Sequence, residues 1–202
     1  MLDISVIIPV FNAEQFIKKS VESALNHGVV KEIVLIEDGS TDNSYHECER
    51  LLKTDSRIKL YTHPNNSNRG AAESRNLGIT MSSQPYIAFL DADDFYLKNR
   101  FDYEIEFTNK KNDFDGVFGA LGFHYYNDEA KAKSQAMFGE NNLTTVQLNE
   151  SRTNIFEGLL GINNDFKGYF SLDTLTIKKS TLNKMGYHFN NELRLHQDTE
   201  FI

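Results

Sequence analysis

The chain has 202 residues, with 21 lysines and arginines against 29 aspartates and glutamates, and so a formal charge of −8. That length builds one domain with a real core, or a tight pair, and the acidic balance speaks against nucleic acid or an anionic membrane face as a partner. The single Cys48 excludes a disulfide framework and zinc-ligand spacing, no apolar run reaches the ~20 residues of a membrane span, and the N-terminus lacks the basic region and cleavage site of a signal peptide. The chain therefore reads as cytoplasmic.

Strand and helix patterns alternate through the first half. Ile4 to Val10 is an apolar, β-branched run with Pro9 near its close, which predicts a strand buried in a parallel sheet. Asn12-Ala13-Glu14-Gln15 resembles a capping box, and Phe16, Ile17, Val21, Ala24 and Leu25 follow on one face of a helix. Glu32 to Ile36 predicts a second strand that runs into the turn and cap residues Glu37-Asp38-Gly39-Ser40-Thr41-Asp42. Tyr45, Cys48, Leu51 and Leu52 suit a helix, and Ile58 to Tyr61 a short third strand. A polar loop over 63–70 leads to a helix from Ala71 to Met81. Tyr86 to Leu90 predicts a fourth strand, followed directly by Asp91-Ala92-Asp93-Asp94. A helix from about Arg100 to Lys110 and a strand from Gly116 to Ala120 complete the alternation. The expected fold is α/β, a mostly parallel central sheet flanked by helices with right-handed crossovers.

The second half is less regular. Residues 124–151 are polar without a clean period and read as an extended loop or irregular strands over a site. Ile155, Phe156, Leu159 and Leu160 predict one helix, Ser171 to Ile177 a strand and Ser180 to Met185 a short helix. No internal repeat, low-complexity tract or linker divides the chain.

Ligands of open parallel sheets bind outside the carboxyl ends of the strands, and the most polar residues fall there. Asp91, Asp93 and Asp94 repel one another unless a cation or donors compensate, and their oxygens suit Mg²⁺ or Mn²⁺ held together with substrate phosphates. Position alone leaves a solvated acidic loop capping the next helix equally open. Asp38 can accept a hydrogen bond from a base or a sugar, or can simply close its turn. Gly70, Ala71 and Ala72 open a helix to close approach, and Arg75 can answer phosphate charge or pair with a neighbouring acid. In His196-Gln197-Asp198-Thr199-Glu200 a carboxylate can serve as general base, or the run can be a charged surface turn.

Five segments occur in order: Val6-Ile7-Ile8-Pro9-Val10-Phe11-Asn12, Ile36-Glu37-Asp38-Gly39-Ser40-Thr41-Asp42, Arg75-Asn76-Leu77-Gly78-Ile79, Tyr86-Ile87-Ala88-Phe89-Leu90-Asp91-Ala92-Asp93-Asp94 and His196-Gln197-Asp198-Thr199-Glu200-Phe201. The ordered set resembles the family 2 glycosyltransferases of the GT-A fold. The likeness is dense to about residue 120, thin over 121–170, and returns at Thr176-Ile177-Lys178-Lys179-Ser180. It implies a single nucleotide-diphospho-sugar transferase domain over 1–202, with a nucleotide-sugar-binding half to residue 120 and an acceptor and catalytic-base half over 121–202. It implies that Pro9, Phe11 and Asp38 line the nucleobase pocket, with Asp38 bonding the base, that Asn12 belongs to the nucleotide-sugar-binding set, and that Arg75 lies near the nucleotide or its phosphates. Asp91, Ala92 and Asp93 match the D-x-D element, with Asp93 as main ligand of a divalent metal (Mn²⁺ or Mg²⁺) and Asp91 towards the ribose and the metal. Asp198 matches the catalytic base. Glu37 and Gln197 depart from the usual Asp and Glu of their motifs.

The activity so implied is inverting transfer from a nucleotide-diphospho-sugar, a UDP-sugar by family habit, to a glycan or lipid-linked saccharide. The competing reading is a nucleotide-sugar-binding domain or fragment without transfer. A phosphatase of the Asp-nucleophile type wants its D-x-D after the first strand, a nucleotidyltransferase wants a Gly-rich basic loop where Pro9-Val10-Phe11-Asn12 stands, and a dinucleotide oxidoreductase wants G-x-G-x-x-G there. The apolar ending Phe201-Ile202 suggests a chain cut short of helices that complete the acceptor side and associate peripherally with a membrane.

Overall fold

The first strand is apolar at nearly every position and is buried on both faces, which places it in the middle of a sheet covered on each side. The computed structural model describes residues 2–110, 112–138, 143–144, 154, 170–186 and 189–192. In chain order the elements are β1 (Ile4–Val10), α1 (Ile17–Leu25), β2 (Val30–Glu37), α2 (Ser44–Leu52), β3 (Ile58–Thr62), α3 (Ala71–Met81), β4 (Tyr86–Phe89), α4 (Asp102–Asn109), β5 (Gly116–Phe118), β6 (Leu121–Gly122), α5 (Asp128–Phe138), β7 (Leu143–Thr144), β8 (Leu175–Lys178) and α6 (Lys179–Met185).

Six strands form one sheet in the order β3-β2-β1-β4-β8-β5. β1 pairs parallel with β2 and β4, β2 pairs parallel with β3, and β8 enters antiparallel to both its neighbours. The alternation of strand side chains divides the core in two. Ile4, Val6, Ile8 and Val10 of β1 pack with Ile17, Val21 and Ala24 of α1 and with Cys48 and Leu51 of α2. Ile7 of β1, with Val34, Ile36, Ile87 and Phe89, packs with Ala72 and Ile79 of α3 on the opposite face. α3 comes so close to β1 that a Cβ at Gly78 would lie 2.3 Å from Ile7 Cγ2.

Three expectations are corrected. Asn12–Gln15 do not cap α1, which starts at Ile17 with no side-chain cap. Their polar groups cross to the second βα turn instead: Ala13 N–H donates to Ser44 Oγ at 2.7 Å, Glu14 N–H to Asp42 Oδ2 at 3.2 Å, and Asn12 Oδ1 accepts from Thr41 N–H at 2.8 Å. Residues 171–174 are not strand. Leu172–Thr174 form a 3-10 turn, closed by Thr174 N–H on Ser171 O and by Asp173 N–H on Ser171 Oγ, and β8 begins only at Leu175. Within 124–151 the structure holds a helix, α5, started by Ala130 N–H on Asn127 Oδ1 at 2.7 Å. Its described side chains are largely exposed, so no apolar period betrays it. Ile155, Phe156, Leu159 and Leu160, the expected helix, lie outside the described residues.

Candidate functional site

The parallel strands β1, β2 and β4 end side by side, and their carboxyl ends set out the polar residues. At the end of β1, Pro9 sits in the ladder opposite Ile36, Phe11 is 49% exposed, and Asn12 takes a left-handed φ of 51° while its side chain holds Thr41. At the end of β2 the Glu37 carboxylate accepts Gly39 N–H at 3.1 Å and Ser40 N–H at 2.6 Å, which closes the turn. Gly39 has φ +71°, and a Cβ there would meet Asn66 O at 2.6 Å, so the turn and the 63–70 loop can only lie this close with glycine.

Asp38 is almost wholly buried, at 2% exposure. Its Oδ1 accepts Arg69 N–H at 2.6 Å and its Oδ2 accepts Gly70 N–H at 2.8 Å, while Asn68 Nδ2 donates to its carbonyl at 2.9 Å. His63 Nε2 stands 3.6 Å from Oδ1 and 2.9 Å from Ser74 Oγ. Asp38 thus ties the end of β2 to the start of α3.

One turn into α3, buried Arg75 donates from Nη2 to Asp91 Oδ1 at 2.8 Å. Asp91 follows β4 and Leu90, with its side chain 44% exposed. Its carbonyl accepts from Ser20 Oγ of α1 at 3.3 Å, and its N–H donates to Asp173 Oδ1 at 2.8 Å. Ala92 is buried, whereas Asp93 and Asp94 are exposed. The Asp93 carboxyl is held above the ordinary carboxylate range, first by partial desolvation and then by the charges of Asp94 and Asp91. Asp173 is pushed well above that range, first by burial, then by the Asp91 charge and by its hydrogen bond with Asp94.

Among the described residues no three His, Cys, Asp or Glu side chains group as a metal cage. The acidic turn nevertheless suits a hard divalent cation of the kind held by one or two carboxylates plus phosphate oxygens. Asp91, Asp93 and Asp94 fall within four residues of one turn, and the Asp94 and Asp91 charges add to the partial desolvation that raises Asp93, a charge component that a cation would relieve. No described helix is long and apolar enough to cross a membrane.

The structure therefore brings Asn12 to the Thr41 turn, Asp38 to the start of α3, and Arg75 to Asp91, all at one edge of the sheet. Asp198 and Gln197 lie outside the described residues. Two contacts of the acidic turn are not foreseen from sequence. Ser20 looks like any small helix residue. Asp173 sits in a stretch whose alternation mimics a strand, although Ser171-Leu172-Asp173 carries the hydroxyl-first pattern of a local turn.

Fold and site together define a GT-A domain, an α/β sheet with an acidic turn after the strand beside β1. Residues 5–171 match the family model for glycosyl transferase family 2, and the chain belongs to that family. The Escherichia coli UDP-Glc:alpha-D-GlcNAc-diphosphoundecaprenol beta-1,3-glucosyltransferase WfgD is 37% identical over 110 residues, 54% of this chain and 42% of that relative. Staphylococcus aureus TarS 1-349, in complex with UDP-GlcNAc, superposes with a TM-score of 0.68 at 21% identity, over 98% of this chain and 52% of that one. The mannosyltransferase PcManGT of Pyrobaculum calidifontis, in complex with GDP-Man and Mn²⁺, gives a TM-score of 0.61 at 14% identity, over 98% of this chain and 51% of that one. The chain spans less than half the length of the curated relatives it matches.

Proposed function

We propose that the chain transfers a sugar, with inversion, from a nucleotide-diphospho-sugar to a hydroxyl of a glycan or lipid-linked saccharide. The observation that carries this reading is the Arg75–Asp91 pair: it seats a cation for phosphate against an acidic turn at the carboxyl edge of the sheet. UDP is the nucleotide named for the E. coli relative, whose acceptor is lipid-linked, and a UDP-sugar is the donor proposed here.

The roles divide by position. Pro9, Phe11 and Asn12 frame the nucleobase, and Asp38 closes that pocket while bracing the loop that forms its wall. Arg75 faces the phosphates. Asp93 and Asp91, with Ala92 between them, would hold a divalent metal, Mn²⁺ or Mg²⁺; Mn²⁺ is the ion named for the mannosyltransferase. Such an ion, when bound, offsets the negative charge of the leaving diphosphate. Asp198 serves as general base. It takes the acceptor hydroxyl's proton as that oxygen bonds to C1 and the bond from C1 to the diphosphate breaks, its electron pair leaving with the diphosphate. A single displacement of this kind inverts the anomeric centre. Residues 1–120 form the donor half in this scheme and 121–202 supply the acceptor side and the base.

Asp198→Asn tests the chemistry. The variant is expected to bind UDP as the unaltered chain does and to lose transfer from UDP-sugars to a panel of saccharides. Near-normal turnover would remove Asp198 from the role. UDP binding by the unaltered chain, with neither transfer nor donor hydrolysis, would make it a binding domain instead.

A further inference from the structure

The last ladder bond of β4 is made by Leu90, whose N–H donates to Ile7 O at 3.0 Å. The next amide, that of Asp91, lies beyond the ladder, and Asp173 Oδ1 takes it at 2.8 Å. The Asp173 side chain thus continues the strand's hydrogen bonding into the acidic turn. Three like charges in four residues push apart, so a turn carrying them needs its backbone held if their carboxylates are to converge.

Asp173 is itself firmly placed. Its carbonyl accepts from Arg100 Nε at 3.2 Å. Arg100 in turn donates to Glu104 Oε1 at 2.8 Å and to Thr176 Oγ1 at 3.2 Å, and Glu104 and Thr176 are buried. Thr174 O, the next carbonyl, accepts Gly119 N–H at 2.9 Å. Asp173 is only 7% exposed, so it stands behind Asp91 rather than on the open face of the site.

We propose that Asp173 is a positioning residue for the acidic turn: by holding the Asp91 amide, it sets where the Asp91 and Asp93 carboxylates stand against the donor's diphosphate. The inference rests on the nucleotide-sugar reading of the site. It makes the stretch before β8, from the second half of the chain, a working part of the donor site.

Three variants and two readouts test it. Asp173→Ala removes the acceptor, whereas Asp173→Asn keeps an oxygen for the Asp91 amide and offers its own N–H to Asp94. Hydrogen exchange at the Asp91 amide reports the tie itself, and calorimetry of UDP in Mn²⁺ reports its consequence. In Asp173→Ala the amide is expected to exchange faster, and UDP affinity to fall about tenfold or more, as for outer-shell partners of metal ligands. Asp173→Asn restores both. Ser20→Ala, which cuts the weaker tie to the Asp91 carbonyl, moves both readouts the same way by less and serves where Asp173→Ala does not fold. Unchanged exchange and affinity in Asp173→Ala overturn the inference. So does an equal loss of affinity in the Asn and Ala variants, tracking only their melting temperatures. If the unaltered chain binds no UDP, the nucleotide-sugar reading fails, and the exchange of the Asp91 amide still decides whether Asp173 holds the turn.

Discussion

Arg75 and Asp91 meet across the carboxyl edge of the sheet, Nη2 to Oδ1 at 2.8 Å, one from a helix start and the other from a strand end. The arginine is buried and its partner is half open to solvent. The pair is thus built from the protein side and accessible from the ligand side. Its net worth to stability is modest, since an exposed partner is screened. The guanidinium is a planar fork of the kind that matches phosphate geometry.

Arg75→Leu is accordingly expected to weaken UDP binding about tenfold or more while leaving the fold in place, since charge-assisted hydrogen bonds are worth roughly 1.5–3 kcal/mol. Arg75→Lys keeps the charge but loses the planar fork and is expected to recover only part of the loss. Calorimetry on both variants, with circular dichroism as the check on folding, measures this.

Gly78 is where α3 lies flat on β1. A methyl group there would press on the branched side chain of Ile7, with contacts of 2.3, 3.2 and 3.3 Å. Ile7 is fully buried and stiff at its β-carbon, so it cannot swing away. Gly78→Ala is expected to lower the unfolding free energy by about 1–3 kcal/mol, the usual cost of overpacking, despite alanine's better helix propensity. Gly28→Ala, where a Cβ meets nothing within 4 Å, is the control and is expected to stay within about 0.5 kcal/mol. Urea unfolding followed by circular dichroism compares them.

His27 is buried, its ring edge-on to Phe101 at 5.1 Å and to Tyr96 at 6.1 Å. Burial, and then the Arg100 charge, hold its pKa below the ordinary histidine value of 6.5. The unfolded chain therefore takes up this proton first as pH falls. The stabilisation from keeping His27 neutral is complete above about pH 6.5 and is lost as pH drops below that value towards the folded pKa. Unfolding midpoints in urea are expected to fall between pH 7 and pH 5.5, and His27→Leu to flatten that slope.

The sheet was legible because β1, β2 and β4 are buried on both faces over most of their length and so carry apolar runs with few interruptions. Asp38 and the acidic turn were legible because strand ends are where α/β sheets keep polar residues. What escaped has physical causes. α5 is largely exposed, so it leaves no hydrophobic period. The capping pattern at Asn12–Gln15 was real chemistry aimed elsewhere, at the Asp42 and Ser44 turn 28 to 31 residues on. Asp173 escaped because its partner is a backbone amide 82 residues away, a contact that only the insertion of β8 beside β4 creates.

Calorimetry of UDP against the chain, with and without Mn²⁺ or Mg²⁺, tests most directly whether the acidic turn builds a nucleotide-diphosphate site. Binding is expected to strengthen with the metal in the unaltered chain, and Asp93→Ala is expected to abolish that dependence and to lower affinity about tenfold or more. Metal-dependent UDP binding that survives unchanged in Asp93→Ala, or no binding of UDP under any condition, would contradict it.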